Sequence, residues 1–170
     1  MADFNKAIPI ILKHEGGFVD HPADPGGATN RGIIFTLFKK YAGELGLPAT
    51  VEGLKALTED NAKYIYRKQF WNAMQGDMIK DQQVANIIFD GFVNMGFNGI
   101  KIAQREVGET ADGLIGQKSI QAINGAAPNI LFQGIKEGRI KYYTDLAERK
   151  PQMKVFLKGW LNRINSFNYV

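Results

Sequence analysis

The chain of 170 residues has no cysteine and only two histidines, His14 and His21. Without thiols there is no disulfide frame and no thiolate chemistry, and two histidines alone are a poor basis for a structural zinc site. No apolar run approaches the roughly 18 residues that a membrane span needs, so stable membrane insertion is not expected. The opening MADFNKAIPIILKHEGG lacks the basic leader and small-residue cleavage site of a signal peptide, and synthesis in the cytoplasm is the expectation. Acidic residues are scarce toward the C-terminus. From Lys136 onward eight Lys or Arg face three Asp or Glu, a balance of +5, whereas the part before it carries 13 bases against 14 acids. That segment favours an anionic partner. Its bases are spaced at helical intervals, with no aromatic-studded RNA motif and no clustered basic arm. Nucleic acid is therefore not an expected partner, and a polyanionic surface fits better.

What is present is enough for a core. With 45% hydrophobic residues, the chain suits one domain, or a catalytic region with a small appendage. Phe4, Ala7, Ile8, Ile11 and Leu12 recur at three and four residues and predict a first helix capped by Asp3. Pro9 either kinks it or marks a later start, and Gly16-Gly17 ends it. From Phe18 to Ile33 the run FVDHPADPGGATNRGI is too rich in Pro and Gly for a helix and predicts short strands joined by turns. Asp24-Pro25-Gly26-Gly27 suits a type II turn. Beyond it the pattern is almost wholly helical. Helices are expected over 36–45, after a Thr58 cap through Ala62, Ile65, Tyr66 and Phe70, and along the stripe Val84, Ile87, Ile88, Phe92. A further group spans 100–107. Asp112-Gly113 makes a turn before a helix holding Ile120 and Ile123; Pro128 opens a long helix to about Arg149, and Pro151 separates a final one through Phe156, Leu157 and Trp160.

The stretch that invites chemistry is KHEGGF, residues 13–18. Glu15 continues the apolar stripe of the first helix and lies near the negative end of its dipole. Both conditions disfavour the ionised form of a carboxyl. Glycosidic bonds are cleaved by a carboxylic acid that protonates the leaving oxygen, aided by a second carboxylate acting as base or nucleophile. Glu15 fits the first role; equally, it is a carboxylate that ends a helix and faces water. Asp20 and Asp24 follow in a segment able to fold as a hairpin opposite it, and Thr29 offers a hydroxyl to position a water. Each has a structural reading too: Asp24 opens a turn, Asp20 caps a strand end, Thr29 suits a strand. Asp20 and Asp24 lack the ligand ladder of a calcium loop, so no metal and no other cofactor is expected.

EGGFVDHPADPGGATNRGI, residues 15–33, closely resembles the signature of the glycoside hydrolase family 108 lysozymes, EGGY-x-N-D-P-x-D-P-G-G-x-T-N-x-G-I. The likeness continues in IYRKQFW (65–71), IIFDGFVNMG (87–96) and GWLNRI (159–164). AQREVGETADGLIGQKSIQAI, from 103 to 123, looks like that family's C-terminal segment, which is described as peptidoglycan-binding. The resemblance implies a mainly α, lysozyme-like fold with a small β-hairpin region near the N-terminus. It divides the chain into a catalytic region, 1–96, and a helical peptidoglycan-binding region, 97–170, packed as one globular unit. The implied activity is hydrolysis of the β-1,4 bond between N-acetylmuramic acid and N-acetylglucosamine, with Glu15 as proton donor. The Glu-then-Asp spacing is also similar to that of phage lysozymes, which supports Asp24. A lytic transglycosylase, and a wall-binding or secretion-associated protein without turnover, are the alternatives; some relatives carry the label secretion activator.

Phe18 stands where the family usually has Tyr, Asp20-His21 replaces Asn-Asp, and Gln117 and Ser119 replace the usual Pro and Thr. A glycan cleft needs flat apolar faces and amides for N-acetyl contacts. Tyr66, Trp71, Asn30 and Asn94, with Asp20, are the candidates for holding sugar, while Phe70 is read as core. Arg67 either holds a carboxylate or is solvated. The expected partner is the glycan strand of peptidoglycan, met by a monomer after non-classical export or lysis.

Overall fold

In a computed structural model that describes residues 1–20 and 27–170, Asp3 accepts a hydrogen bond from the Asn5 backbone N–H (2.8 Å) and starts α1 (Phe4–His14). Phe4, Ala7, Ile8 and Ile11 are buried, as their spacing predicts. Pro9 lies inside this helix, so of the two sequence readings the earlier start is the one adopted. Most of the expected turn at Asp24-Pro25-Gly26 lies outside the described residues.

Backbone contacts divide the chain into two compact units, one of Ile8–Phe70 and one of Met1–Ala7 with Trp71–Val170. Trp71–Met95 thus pack with the C-terminal helices, a division placed earlier than Gly96.

Within Ile8–Phe70, β1 (Thr29–Asn30) and β2 (Ile33–Ile34) pair antiparallel, Thr29 opposite Ile34 and Asn30 opposite Ile33. Arg31 and Gly32 join them at φ +52° and +76°, the two positive angles of the tight hairpin turn whose twist matches the strands. Val19 adds an antiparallel bridge to Thr29 through two 2.8 Å backbone bonds. The expected hairpin region is present, and its tight turn is Arg31-Gly32. α2 (Phe35–Tyr41) is shorter than the 36–45 pattern predicts. α3 (Val51–Lys55) is capped by Thr50, whose hydroxyl accepts from Gly53 N (3.2 Å). α4 (Glu59–Tyr66) begins at Thr58, which exchanges 3.1 Å bonds with Asn61 in a capping box. Ala62, Ile65 and Tyr66 form its buried face, and a π-helical stretch, Arg67–Trp71, prolongs it.

The other unit is built on α5 (Gln82–Met95), started by Asp81, whose carboxylate accepts from Gln83 N and Val84 N at 2.9 Å. Beyond the predicted stripe, Ala85, Phe89, Asp90 and Gly91 are also buried, which marks a helix enclosed on most of its circumference. It packs on α6 (Phe97–Glu106) and α8 (Pro128–Arg149). A side chain at Gly99 would collide with the Gly91 carbonyl, so the α5–α6 crossing depends on two small residues. Gln104 braces the Asp112-Gly113 turn from α6: its amide donates to Asp112 Oδ1 (2.8 Å) and Leu114 O (3.0 Å) and accepts from Gly113 N (2.8 Å). α7 (Gln117–Gly125) follows. α8 opens at Pro128 and ends at Arg149 as the prolines predict, and α9 (Lys154–Asn165) lies after a short 3-10 turn, Pro151–Met153.

Asp90 ties three of these helices together. Its carboxylate is wholly buried and accepts from Arg139 Nη2 (2.8 Å) on α8 and from Arg163 Nε (2.9 Å) and Nη2 (2.8 Å) on α9. Arg139 also donates to Ile87 O at 3.3 Å, while its Nε is buried with no hydrogen-bond partner among the described residues. Nothing in the sequence pattern announced this cluster, because one acid in an apolar helix reads equally well as a solvated position.

Candidate active site

Glu15 is the first residue after α1, its N–H donating to Leu12 O at 3.3 Å. The side chain is half-buried and lines a cavity of about 420 Å³ with Leu12, Gly17, Phe18, Asn30, Arg31, Lys55, Leu57 and Glu59. The hairpin turn places Gly32 directly against it. A methyl group at Gly32 would stand 2.6 Å from the Glu15 carboxyl carbon and Oε2, and would also strike the Tyr66 hydroxyl. Carboxyl and hydroxyl therefore converge on the one backbone position of the turn that has no side chain, and its φ of +76° demands glycine independently.

The turn is held from behind. Tyr66 is buried and its hydroxyl donates to Arg31 O at 2.9 Å, with Phe70 tilted on its ring at 6.0 Å. Arg31 Nε donates to Leu57 O (3.1 Å). Asn30, 5% exposed, donates its amide to Leu54 O (2.9 Å) and Lys55 O (3.3 Å), which pins β1 to the end of α3. Each bond satisfies a carbonyl left over at a short helix or turn, so the segment around Gly32 is fixed by side chains rather than by a wide sheet.

Charge in the cavity is mixed. Glu59, at the start of α4, forms a 2.9 Å pair with Lys63. That ammonium, with help from the Arg31 charge, holds its carboxyl below the usual range, so it is an anion at neutral pH. Lys55 sits 5.1 Å above the Phe18 ring and pairs with Glu52 at 3.1 Å. Leu12, Phe18 and Leu57 supply apolar wall. The space is large enough for a sugar ring and offers both an apolar surface and hydrogen-bonding groups.

The sequence candidates fall into three groups. Glu15 and Asn30 line the cavity, although the Asn30 amide is spent on main-chain carbonyls rather than left for an N-acetyl group. Tyr66 touches the site through its hydroxyl and offers no ring face, since it is 1% exposed. Thr29 is fixed by its bridge to Val19, and Asp20 is exposed just past that bridge; neither lines the cavity. Asp24 lies outside the described residues.

Trp71 needs correction as a sugar platform. It is fully buried, edge-on to Phe4 (5.7 Å) and Phe89 (5.3 Å), with its indole N–H donating to Asp77 at 2.7 Å. Burial at helical spacing outweighs its aromatic suitability for sugar. Asn94 is exposed near the end of α5 and donates to Asp90 O at 2.8 Å, a bond back along its own helix.

Sequence reasoning missed Gly32, Arg31, Lys55, Leu57 and Glu59. The Arg-Gly pair between Thr-Asn and Ile-Ile was a readable hairpin signal. Lys55 and Glu59 carried none, because only the fold brings the ends of α3 and α4 to the residues after α1.

The family model described as glycosyl hydrolase 108 matches residues 8–96, and the one described as a predicted peptidoglycan domain matches residues 98–165. Among solved structures, the chain is similar to SagA of Brucella abortus, with 30% identity, coverage of 96% of this chain and 94% of that one, and a TM-score of 0.74. No curated protein matches. The expected architecture, mainly α and lysozyme-like with one small hairpin near the N-terminus, is the one found.

Proposed function

Since this chain belongs to glycosyl hydrolase family 108 and is thereby a glycoside hydrolase, we propose that its substrate is peptidoglycan and that Glu15 is the acid that cleaves it. The bond cut in this reading is the β-1,4 link between N-acetylmuramic acid and N-acetylglucosamine. The observation that carries it is the meeting of the Glu15 carboxyl and the Tyr66 hydroxyl at Gly32, with Glu15 itself on the wall of a cavity able to hold a sugar.

The chemistry needs a proton on Glu15 at the moment the glycosidic oxygen leaves. The rigid turn at Arg31-Gly32 holds the Glu15 carboxyl at one place on the cavity wall, which supplies orientation. Water then attacks the opposite face of the ring, giving inversion. Asp24 is the carboxylate that the sequence nominates to activate this water, and Thr29 the hydroxyl to position it. Glu59, held ionised in the same cavity, contributes negative potential where the sugar ring becomes positively charged. Asp20 and Asn94 are assigned to substrate contacts from the sequence alone. Residues 1–96 act in this reading as the catalytic region and 97–170 as the wall-binding region, for which the match to a predicted peptidoglycan domain is the support.

The test is digestion of purified walls by the wild type and by Glu15→Gln, followed by mass spectrometry. Wild type should release fragments with reducing N-acetylmuramic ends. The variant should keep its melting temperature and lose about 10²–10⁴-fold in turnover, the range for a general acid. Near wild-type turnover in the variant, or 1,6-anhydro ends in the wild-type digest, would overturn the proposal.

A further inference from the structure

After Glu148 the chain contains five bases, Arg149, Lys150, Lys154, Lys158 and Arg163, and no acid. The structure separates these bases by task. Arg163 faces inward to Asp90. Lys150, Lys154 and Lys158 are exposed, and none of them forms an ion pair among the described residues.

Among the described residues, α9 is anchored along one side. Ile164 is buried, Leu157 and Leu161 are half-buried, and Trp160 stacks on Tyr143 of α8 at 5.0 Å and 22°. The opposite face carries Lys154, Val155, Lys158 and Gly159, with Phe156 at its flank. Val155 is 76% exposed and Phe156 53%. A helix that turns lysines and large apolar side chains outward together, with no acid near them in sequence, does not match a solvated face, where apolar residues gain nothing by exposure.

We infer that the outer face of α9, with Lys150 beside it, docks on the anionic surface of a phospholipid bilayer. The three ammonium groups meet the lipid phosphates, while Val155 and Phe156 enter the boundary between headgroups and acyl chains. Charge complementarity alone would also suit a soluble anionic polymer, but such a polymer gives the two apolar side chains nothing to enter. The helix lies on the membrane and does not cross it: no helix among the described residues is long and apolar enough for that. The inference is independent of Glu15.

Sedimentation of the full-length protein with vesicles tests it, using phosphatidylcholine alone and phosphatidylcholine mixed equally with phosphatidylglycerol. The protein should pellet with the mixed vesicles, remain in solution with the neutral ones, and be released as salt rises. The triple variant K150Q/K154Q/K158Q should bind about 100-fold more weakly, at the weight expected for three lysines near an anionic surface. V155S/F156S keeps every charge and should lose about tenfold, from the apolar area that no longer leaves water. Glu15→Gln should bind as the wild type does. Lys150, Lys154, Val155, Phe156 and Lys158 are all exposed, and an unchanged melting temperature establishes that the variants fold. Equal binding to both vesicle types, no binding to either, or retention by V155S/F156S of full affinity for the mixed vesicles would overturn the assignment; the last result would describe a simple polyelectrolyte.

Discussion

The two compact units solve the problem of fixing a functional surface in opposite ways. In Ile8–Phe70 the decisive contacts run from side chain to main chain: Tyr66 to Arg31 O, Arg31 to Leu57 O, Asn30 to Leu54 and Lys55 O. Strands of two residues cannot hold a loop by themselves, so the hairpin that bears Gly32 is held by one hydrogen bond arriving from α4 and by others that it donates to carbonyls at and just past the end of α3. In the unit containing Trp71–Val170 the decisive contacts are between side chains. Helices interlock through Phe4, Trp71 and Phe89 and through the buried carboxylate of Asp90 with its two arginines. The first arrangement aims atoms and the second supplies rigidity. Mutations should therefore separate activity from stability according to the unit they fall in.

The largest effect is expected at Asp90. Asp90→Ala leaves two guanidinium groups facing each other with no anion, one of them buried, and breaking such a cluster costs about 3–5 kcal/mol. Denaturant unfolding followed by circular dichroism should show that loss, while turnover per folded molecule stays near wild type. An unchanged unfolding midpoint would mean that the ion cluster adds nothing to the helical unit.

Gly32→Ala comes next and should act chiefly on activity. The added methyl enters at a positive φ that costs about 1–3 kcal/mol for a residue with a side chain, and it overlaps the Glu15 carboxyl. A displacement of about 1 Å at a reacting group costs roughly 10²-fold in rate. Steady-state digestion of walls should show the fall in kcat, larger than the accompanying loss of stability explains. Full activity in Gly32→Ala would mean that the Glu15 carboxyl tolerates displacement.

Tyr66→Phe is a finer cut within the same site. It removes one hydrogen bond to Arg31 O and should cost about 1 kcal/mol of stability, typical of a neutral intramolecular bond, with a fall in kcat smaller than that of Gly32→Ala. An activity loss equal to that of Glu15→Gln would give the hydroxyl a part in the chemistry in addition to its structural one.

Legibility in the sequence follows the same division. Helices that bury a stripe are visible as spacing, and so α5 and the Pro128–Arg149 helix stand where Val84, Ile87, Ile88 and the prolines put them. Thr58 was visible as a cap because capping is local. Glu15 was visible because it continues a stripe and then meets two glycines. Trp71 misled because spacing shows that an aromatic recurs on a helix face, not whether another helix covers it. Lys55, Leu57 and Glu59 were hidden for a different reason: their stretch is held to the hairpin by Asn30 and Arg31 reaching carbonyls more than twenty residues away, and side-chain-to-backbone bonds of that kind leave no period in the sequence.

The smallest expected effect compares an exposed carboxylate from each unit. Glu44 accepts from Lys68 Nζ (2.7 Å) and the Tyr64 hydroxyl (2.5 Å) in Ile8–Phe70, and these bonds hold its carboxyl below the usual range. Asp112 in the other unit is lowered first by the Leu114 backbone N–H (2.9 Å) and then by the Gln104 amide. A carboxyl whose folded-state pKa is depressed stabilises the protein above its unfolded pKa of about 4, and that contribution disappears as pH falls through the folded value. Melting temperatures of wild type, Glu44→Gln and Asp112→Asn should therefore differ most near neutral pH and draw together in acid. Because both groups lie open to water, which screens them, the differences at neutral pH should be slight. Asp112→Asn should show the larger one, since its partners are a backbone N–H and a buried glutamine that cannot move to solvent, whereas Lys68 and Tyr64 can. A gap that widened on acidification would reverse the sign assigned to both carboxylates.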